Sequence, residues 1–148
     1  MSGKEATQLP GVTVTRHRVN YSETDQMGVV YHARYLVWLD VGRTEHLRHS
    51  GTSYYGMEHL GLRLAVSEVN VRYRRPARYD EPIRVRTWVR DVVPRRVKFG
   101  YAVEHDVTGD LLATASTSLV VLDANLVMTR LPEEVTSTLL PIADPVRL

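Results

Sequence analysis

Residues 32–50, HARYLVWLDVGRTEHLRHS, decide the fold of this chain. Ala33, Leu36, Val37, Val41, Thr44 and Leu47 recur there at three- and four-residue spacing, which gathers them on one face of an α-helix. Gly51 follows as a natural stop, because glycine ends helices in the left-handed conformation without a Cβ penalty. Such a helix is roughly 28 Å long at ~1.5 Å per residue, about the width of a small domain. A whole sheet can pack against it.

Working outward, residues 12–19 (VTVTRHRV) are rich in Val and Thr and partly alternate in polarity, which predicts a strand before the helix. After the helix the period changes to two, predicting strands at 62–74, 83–93, 95–107 and 111–122. Turn signals at Pro76–Pro82, Pro94 and Thr108–Asp110 separate them. In the second of these strands Ile83, Val85 and Val89 form an inward set interrupted by Thr87 and Asp91, while Arg84, Arg86, Trp88 and Arg90 point to a face that is wet or shared. Pro132 followed by Glu133 and Glu134 predicts a short helix at 132–139, since proline suits the first helical position and acids suit the N-terminal dipole. The order of strand, long helix and four closely connected strands predicts an α+β fold with an antiparallel sheet against one helix. At 148 residues, with no internal repeat, the chain reads as one domain.

Composition narrows the function. Apolar residues make up 43% and charged residues 24%, a globular balance. The formal charge is +2, yet the cations are 17 Arg against 2 Lys, and the planar guanidinium suits phosphate. Acidic residues spread through the same segments argue against a nucleic-acid stripe. The absence of cysteine removes thiolate nucleophiles, thiolate metal sites and disulfides, and fits a cytoplasmic setting. The opening MSGKEATQLP is polar, without the apolar core of an export signal, and the longest aliphatic run, Leu119 to Leu122, is too short to span a membrane.

The motifs of nucleotide hydrolases, dinucleotide-binding folds, serine hydrolases and zinc proteases are missing. The informative stretch is Tyr21–Tyr35, YSETDQMGVVYHARY. Asp25 stands on a turn containing Gly28, ahead of the long helix, where its carboxylate meets the positive end of the helix dipole. Backbone N–H groups of a first helical turn lack intrahelical partners and can stabilise an oxyanion. A carboxylate beside such donors suits acyl transfer; the alternative is that Asp25 only caps a turn. Asp40, on the apolar face, requires a partner, and Arg43 is placed to be it. His46 and His49 with Glu45 have metal-ligand spacing, but a solvated helix face is the favoured reading.

The residues Tyr21, Thr24, Asp25, Gly28, Val30, Tyr31, His32 and Tyr35 resemble the signature of the 4-hydroxybenzoyl-CoA thioesterase family, in particular its branch associated with the Tol-Pal system. The likeness extends through WLDVGRTEHLRHSG and YRRPARYDEPIRVRT and covers about residues 12–135. It implies the hotdog fold, a long helix wrapped by a curved antiparallel sheet, in a homodimer or homotetramer. It also implies hydrolysis of an acyl-CoA thioester to acid and CoA without cofactor or metal. By the same resemblance Asp25 is the catalytic carboxylate, as nucleophile or as general base, and the His32 N–H is the oxyanion donor. The His32 side chain would orient water or polarise the substrate, and Tyr21 and Tyr31 would shape the acyl pocket or merely pack. Arg95, Arg96 and Lys98 would meet the CoA phosphates from the neighbouring subunit, unless they form a solvated hairpin. The acyl group, and the choice between coenzyme A and acyl carrier protein, stay open, as does a non-catalytic acyl-CoA-binding module.

Overall fold

The computed structural model describes residues 9–52 and 54–148; the polar opening stretch lies, up to residue 8, outside the described residues. Five strands, β1 (Thr13–Arg18), β2 (Arg63–Tyr73), β3 (Pro82–Val93), β4 (Arg96–His105) and β5 (Leu111–Leu122), form one sheet in the order β1-β3-β4-β5-β2. All four pairings are antiparallel. The strands and the long helix α1 (Arg34–His49) fall within about two residues of their predicted bounds, the usual fraying of element ends. The C-terminal helix is shorter than the predicted 132–139: α3 spans only Glu133–Thr136, with Pro132 as its N-cap. A short α2 (Tyr54–His59), which no periodicity announced, follows α1.

The buried face of α1 is only in part the expected apolar one: Leu47 is buried as expected, but most of the aliphatic stripe is not. Tyr35, Trp38, Leu39, Gly42, Arg43, His46 and Leu47 face inward, whereas Leu36, Val37 and Val41 are 39%, 51% and 51% exposed. The reason is close approach. A Cβ on Gly42 would stand 2.4 Å from Thr87 Oγ1, so the helix backbone sits almost on β3 at that point. Thr87, an apparent interruption of the inward set, is therefore the floor under Gly42 and fully buried. Arg43, buried with the same face, gives Nη2–H to Asp40 Oδ1 at 2.6 Å and Nη1–H to the Tyr101 hydroxyl at 3.1 Å; Asp40 itself is exposed, so the pairing answers the buried guanidinium rather than a buried carboxylate.

Two further expectations change. A β-bulge shifts the β3–β4 register between Val89 and Asp91 and sets Asp91 opposite Lys98, on the outer face, so Asp91 does not interrupt the core. That outer face is shared rather than wet: Trp88 is fully buried there. The C-terminal segment crosses the sheet, Ile142 N–H bonding to the Val89 carbonyl at 3.0 Å and Asp144 accepting from Trp88 Nε1–H at 2.9 Å and from Arg90. Arg84 and Arg86 both bind Glu104 beside it.

His46 also departs from the solvated reading. It is buried, 2.9 Å from Thr13 Oγ1 through Nδ1 and edge-on to Phe99, while His49 stays exposed. Burial lowers its pKa below the ordinary 6.5, with nearby His49 adding to the effect and a backbone hydrogen bond at Thr87 opposing it. Well above pH 6.5 neither the folded nor the unfolded chain is protonated at this position; as pH falls, the unfolded chain takes up the proton first. Unfolding free energies from urea titrations between pH 8 and pH 5 are expected to fall below about pH 6.5, by up to about 1.4 kcal/mol per pH unit from this group. His46→Gln is expected to remove that part of the slope.

Candidate active site

The loop between β1 and α1 is built by local backbone pairing. Tyr21–Glu23 form a single 3-10 turn, then Thr24 bridges to Val30 and Val29 to Arg78. Inside this small loop Asp25 N–H bonds to the Val29 carbonyl at 2.9 Å and Gly28 N–H to the Asp25 carbonyl at 3.0 Å. Gly28 has φ of 78°, the left-handed region that glycine enters at no steric cost. Met27 N–H donates to Asp25 Oδ1 at 2.8 Å, an Asx turn. Asp25 does cap a turn, as one reading held, but with one oxygen: Oδ2 has no protein partner among the described residues.

The second element is the start of α1. Tyr31 N–H bonds to the Glu23 carbonyl, and the Tyr31 carbonyl accepts from Arg34 N–H at 2.9 Å. In a trans peptide the N–H points opposite to the carbonyl. The His32 N–H is thereby turned away from the helix, and it makes no hydrogen bond among the described residues. On the other side of His32, its own carbonyl accepts from the Tyr73 hydroxyl at 2.7 Å. Burial raises the pKa of Tyr73 and, with nearby Tyr73 and Glu81 and against a hydrogen bond from Ala77, that of Tyr35. Both hydroxyls therefore stay protonated at neutral pH and available as donors.

Asp25 and His32 border one cleft of about 260 Å³, with Met27, Val29, Tyr35, Tyr73, Arg74 and Arg75 among its other walls. Its lining combines apolar and aromatic surface with a carboxylate and two guanidinium groups, the mixture typical of a small-molecule site. Among the remaining residues singled out in the sequence, Tyr31 meets the His32 ring at 4.6 Å in a tilted contact without lining this cleft itself. Tyr21, 76% exposed, meets Tyr79 edge-on at 5.6 Å instead of lining it. Arg95 is exposed at the β3–β4 turn, Arg96 reaches Asp91 at 3.4 Å, and Lys98 borders a different hollow with Arg90, Asp91 and Asp144. Within one protomer these three cations are not brought to Asp25.

Sequence reading missed Tyr73, Arg74 and Arg75. They were legible only as the end of a strand before a proline. What makes them site residues is that β2, the edge strand beyond β5, ends beside the start of α1, a tertiary fact without a local signal.

Among the described residues, a carboxylate oxygen without a partner and a backbone N–H without a partner just ahead of a helix border one cleft on an α+β scaffold, an arrangement that can accommodate acyl-transfer chemistry. The chain matches the thioesterase-like superfamily over residues 19–139, and it belongs to that superfamily. Its hotdog fold, expected from the resemblance, is shared with solved structures. One is a hypothetical protein, TT1821, from Thermus thermophilus, at TM-score 0.80 and 36% identity over 85% of this chain and 95% of that one. Another is a DHNA-CoA thioesterase from Staphylococcus aureus, at TM-score 0.80 and 32% identity over 85% and 89%. Among curated relatives, the "Putative acyl-CoA thioesterase YneP" of Bacillus subtilis is 40% identical over 71% of this chain and 75% of its own length.

Among the described residues, the Tyr73 hydroxyl is the side-chain group hydrogen-bonded to the peptide next to the His32 N–H. Tyr73→Phe removes that single hydrogen bond and leaves the ring packing. If the His32 N–H serves as an oxyanion donor, a net loss of about 0.5–1.5 kcal/mol in transition-state stabilisation is expected, a fall of roughly twofold to tenfold in kcat with a folded protein. Steady-state kinetics of this variant against wild type, with thermal unfolding as control, measure it.

Proposed function

We propose that the chain is an acyl-CoA thioesterase in which Asp25 delivers the attack and the start of α1 receives the oxyanion. The observation that carries this reading is the cleft that Asp25 shares with the unpaired His32 N–H. A thioester carbonyl placed against that N–H would develop its negative charge where a donor and the helix dipole already point. Asp25 would either attack the carbonyl carbon, giving a mixed anhydride that water opens, or draw a proton from the attacking water. Both routes expel the CoA thiolate, which leaves as the thiol, and yield the free acid. The His32 ring borders the same cleft and would orient that water. Carboxylate and backbone donor together supply what the hydrolysis needs, so the reaction is proposed to run without cofactor or metal.

Within the superfamily, the stretch YSETDQMGVVYHARY supports the 4-hydroxybenzoyl-CoA branch and its Tol-Pal-associated members. We place the protein in the cytoplasm, where a chain without cysteine keeps no thiol or disulfide to manage. Among the described residues no helix is long and apolar enough to cross a membrane. No nucleic-acid partner is proposed.

The active unit is proposed to be a homodimer, with a tetramer left open. β2 is an edge strand eleven residues long. Val66, Val69 and Tyr73 on it are 46%, 42% and 47% exposed, an unprotected hydrophobic edge that pairing with a second copy would cover. The cleft of one protomer, about 260 Å³, is also small for a CoA ester, which a partner surface would extend. Arg74 and Arg75 offer cations at its rim, and Arg95, Arg96 and Lys98 of a second copy are the proposed contacts to the CoA phosphates, as the resemblance implies.

Free-thiol release from a panel of aromatic and aliphatic acyl-CoAs tests the reaction. Asp25→Asn is expected to lower kcat by about 10²–10⁴-fold while binding survives. An unchanged rate would remove Asp25 from the mechanism. No release from any ester by the wild type would shift the substrate to acyl carrier protein, or the function to binding alone. For the dimer, Val69→Lys places a charge on the β2 edge; sedimentation is expected to show a monomer, with activity lost in step.

A further inference from the structure

We propose that Glu23 is a positioning residue of this site, setting Asp25 and the His32 N–H at a fixed distance from each other and from α1. The proposal rests on the reading of Asp25 and His32 given above.

Glu23 is 8% exposed, and a carboxylate is seldom buried unless its lone pairs are used. Here they are. Oε1 accepts the Asn20 N–H at 2.8 Å and lies 2.7 Å from His17 Nε2, and Oε2 accepts from Trp38 Nε1–H at 2.8 Å. Burial alone would raise the pKa of Glu23, but the hydrogen bonds from Asn20, His17 and Trp38, with the proximity of His17, outweigh it and leave the group below its ordinary value. The carboxylate is therefore ionised at neutral pH and serves three donors at once.

Those donors belong to three parts of the fold: β1 through His17, the turn after it through Asn20, and α1 through Trp38. The main chain of Glu23 adds a fourth tie, its carbonyl accepting the Tyr31 N–H at 2.8 Å. Asp25 lies two residues after Glu23, and His32 one residue after Tyr31. The Thr24–Val30 bridge closes the loop between these anchors. Both reacting groups thus hang from one residue. A buried charge is not needed for stability, since apolar side chains of similar volume commonly pack as well or better. What this charge adds is direction: it holds the loop against the helix at one height.

The geometry matters because misplacing a reacting group by about 1 Å can cost on the order of 10²-fold in rate. The test is steady-state hydrolysis of the best ester from the panel by the full chain carrying Glu23→Ala, Glu23→Gln or Trp38→Phe, beside Asp25→Asn. Each is assayed below its own unfolding transition. Glu23→Ala is expected to lose roughly tenfold to hundredfold in kcat with KM within about threefold of wild type. Glu23→Gln keeps the shape but cannot accept from all three donors, so its kcat should fall between Glu23→Ala and wild type. Trp38→Phe removes one donor only and gives a smaller loss of the same kind; it carries the test where Glu23→Ala does not fold. Wild-type kcat in folded Glu23→Gln and Trp38→Phe, or a loss matched by the unfolded fraction in circular dichroism, overturns the proposal. If hydrolysis survives in Asp25→Asn, it is the catalytic reading that fails; if it is lost there but intact in the Glu23 variants, only the positioning role does.

Discussion

The contact between Gly42 and Thr87 sets the depth at which the long helix rests on the sheet, and the rest of the structure follows from it. No other residue fits at position 42 without a side-chain atom entering Thr87. With the helix sitting that low over β3, its flat aromatic and branched polar residues, Tyr35, Trp38, Arg43 and His46, are pressed inward together with Leu39 and Leu47. The aliphatic stripe of Leu36, Val37 and Val41 is left outward. A helix that rests on backbone needs side chains able to reach sideways toward partners, and that is what these four do. Trp38 reaches Glu23, Arg43 reaches Tyr101, His46 reaches Thr13 and Tyr35 reaches Ala77.

The helix start inherits its place from that seating. Just ahead of it the His32 N–H has no partner among the described residues, and the end of β2 arrives beside His32 with Tyr73. The proposed site would use the scaffold economically, since a dipole and unpaired amides come with a helix start and only the carboxylate and its supports would have to be added. The proposed supports are polar: the buried three-donor shell of Glu23, and the hydrogen bond from the more exposed Tyr73 hydroxyl. In a low-dielectric setting such bonds are costly to break, which keeps the loop in one arrangement.

Much of this was legible in the sequence. Strand and helix periods predicted all five strands and α1, because side-chain polarity along a single element is a local property. Asp25, Gly28 and His32 were legible as a motif before a helix. The inward face of α1 was misread because periodicity ranks residues by hydrophobicity, whereas burial here was decided by a glycine's closeness to a neighbouring strand. Asp91 was misassigned for a similar reason: a bulge changes the face of a residue without changing the sequence pattern around it.

By itself, then, the sequence determined the elements, their order, the α+β class and the loop that holds the carboxylate. These follow from short-range rules of propensity, period and turn chemistry. Tertiary structure alone decided that Tyr73, Arg74 and Arg75 join Asp25 and His32 around one cleft, that Glu23 is buried among donors from three elements, and that Arg96 and Lys98 lie elsewhere on the protomer. Each depends on which strands become neighbours and how deep the helix sits. Contacts between residues far apart in the chain settle both, and no stretch of sequence encodes them locally.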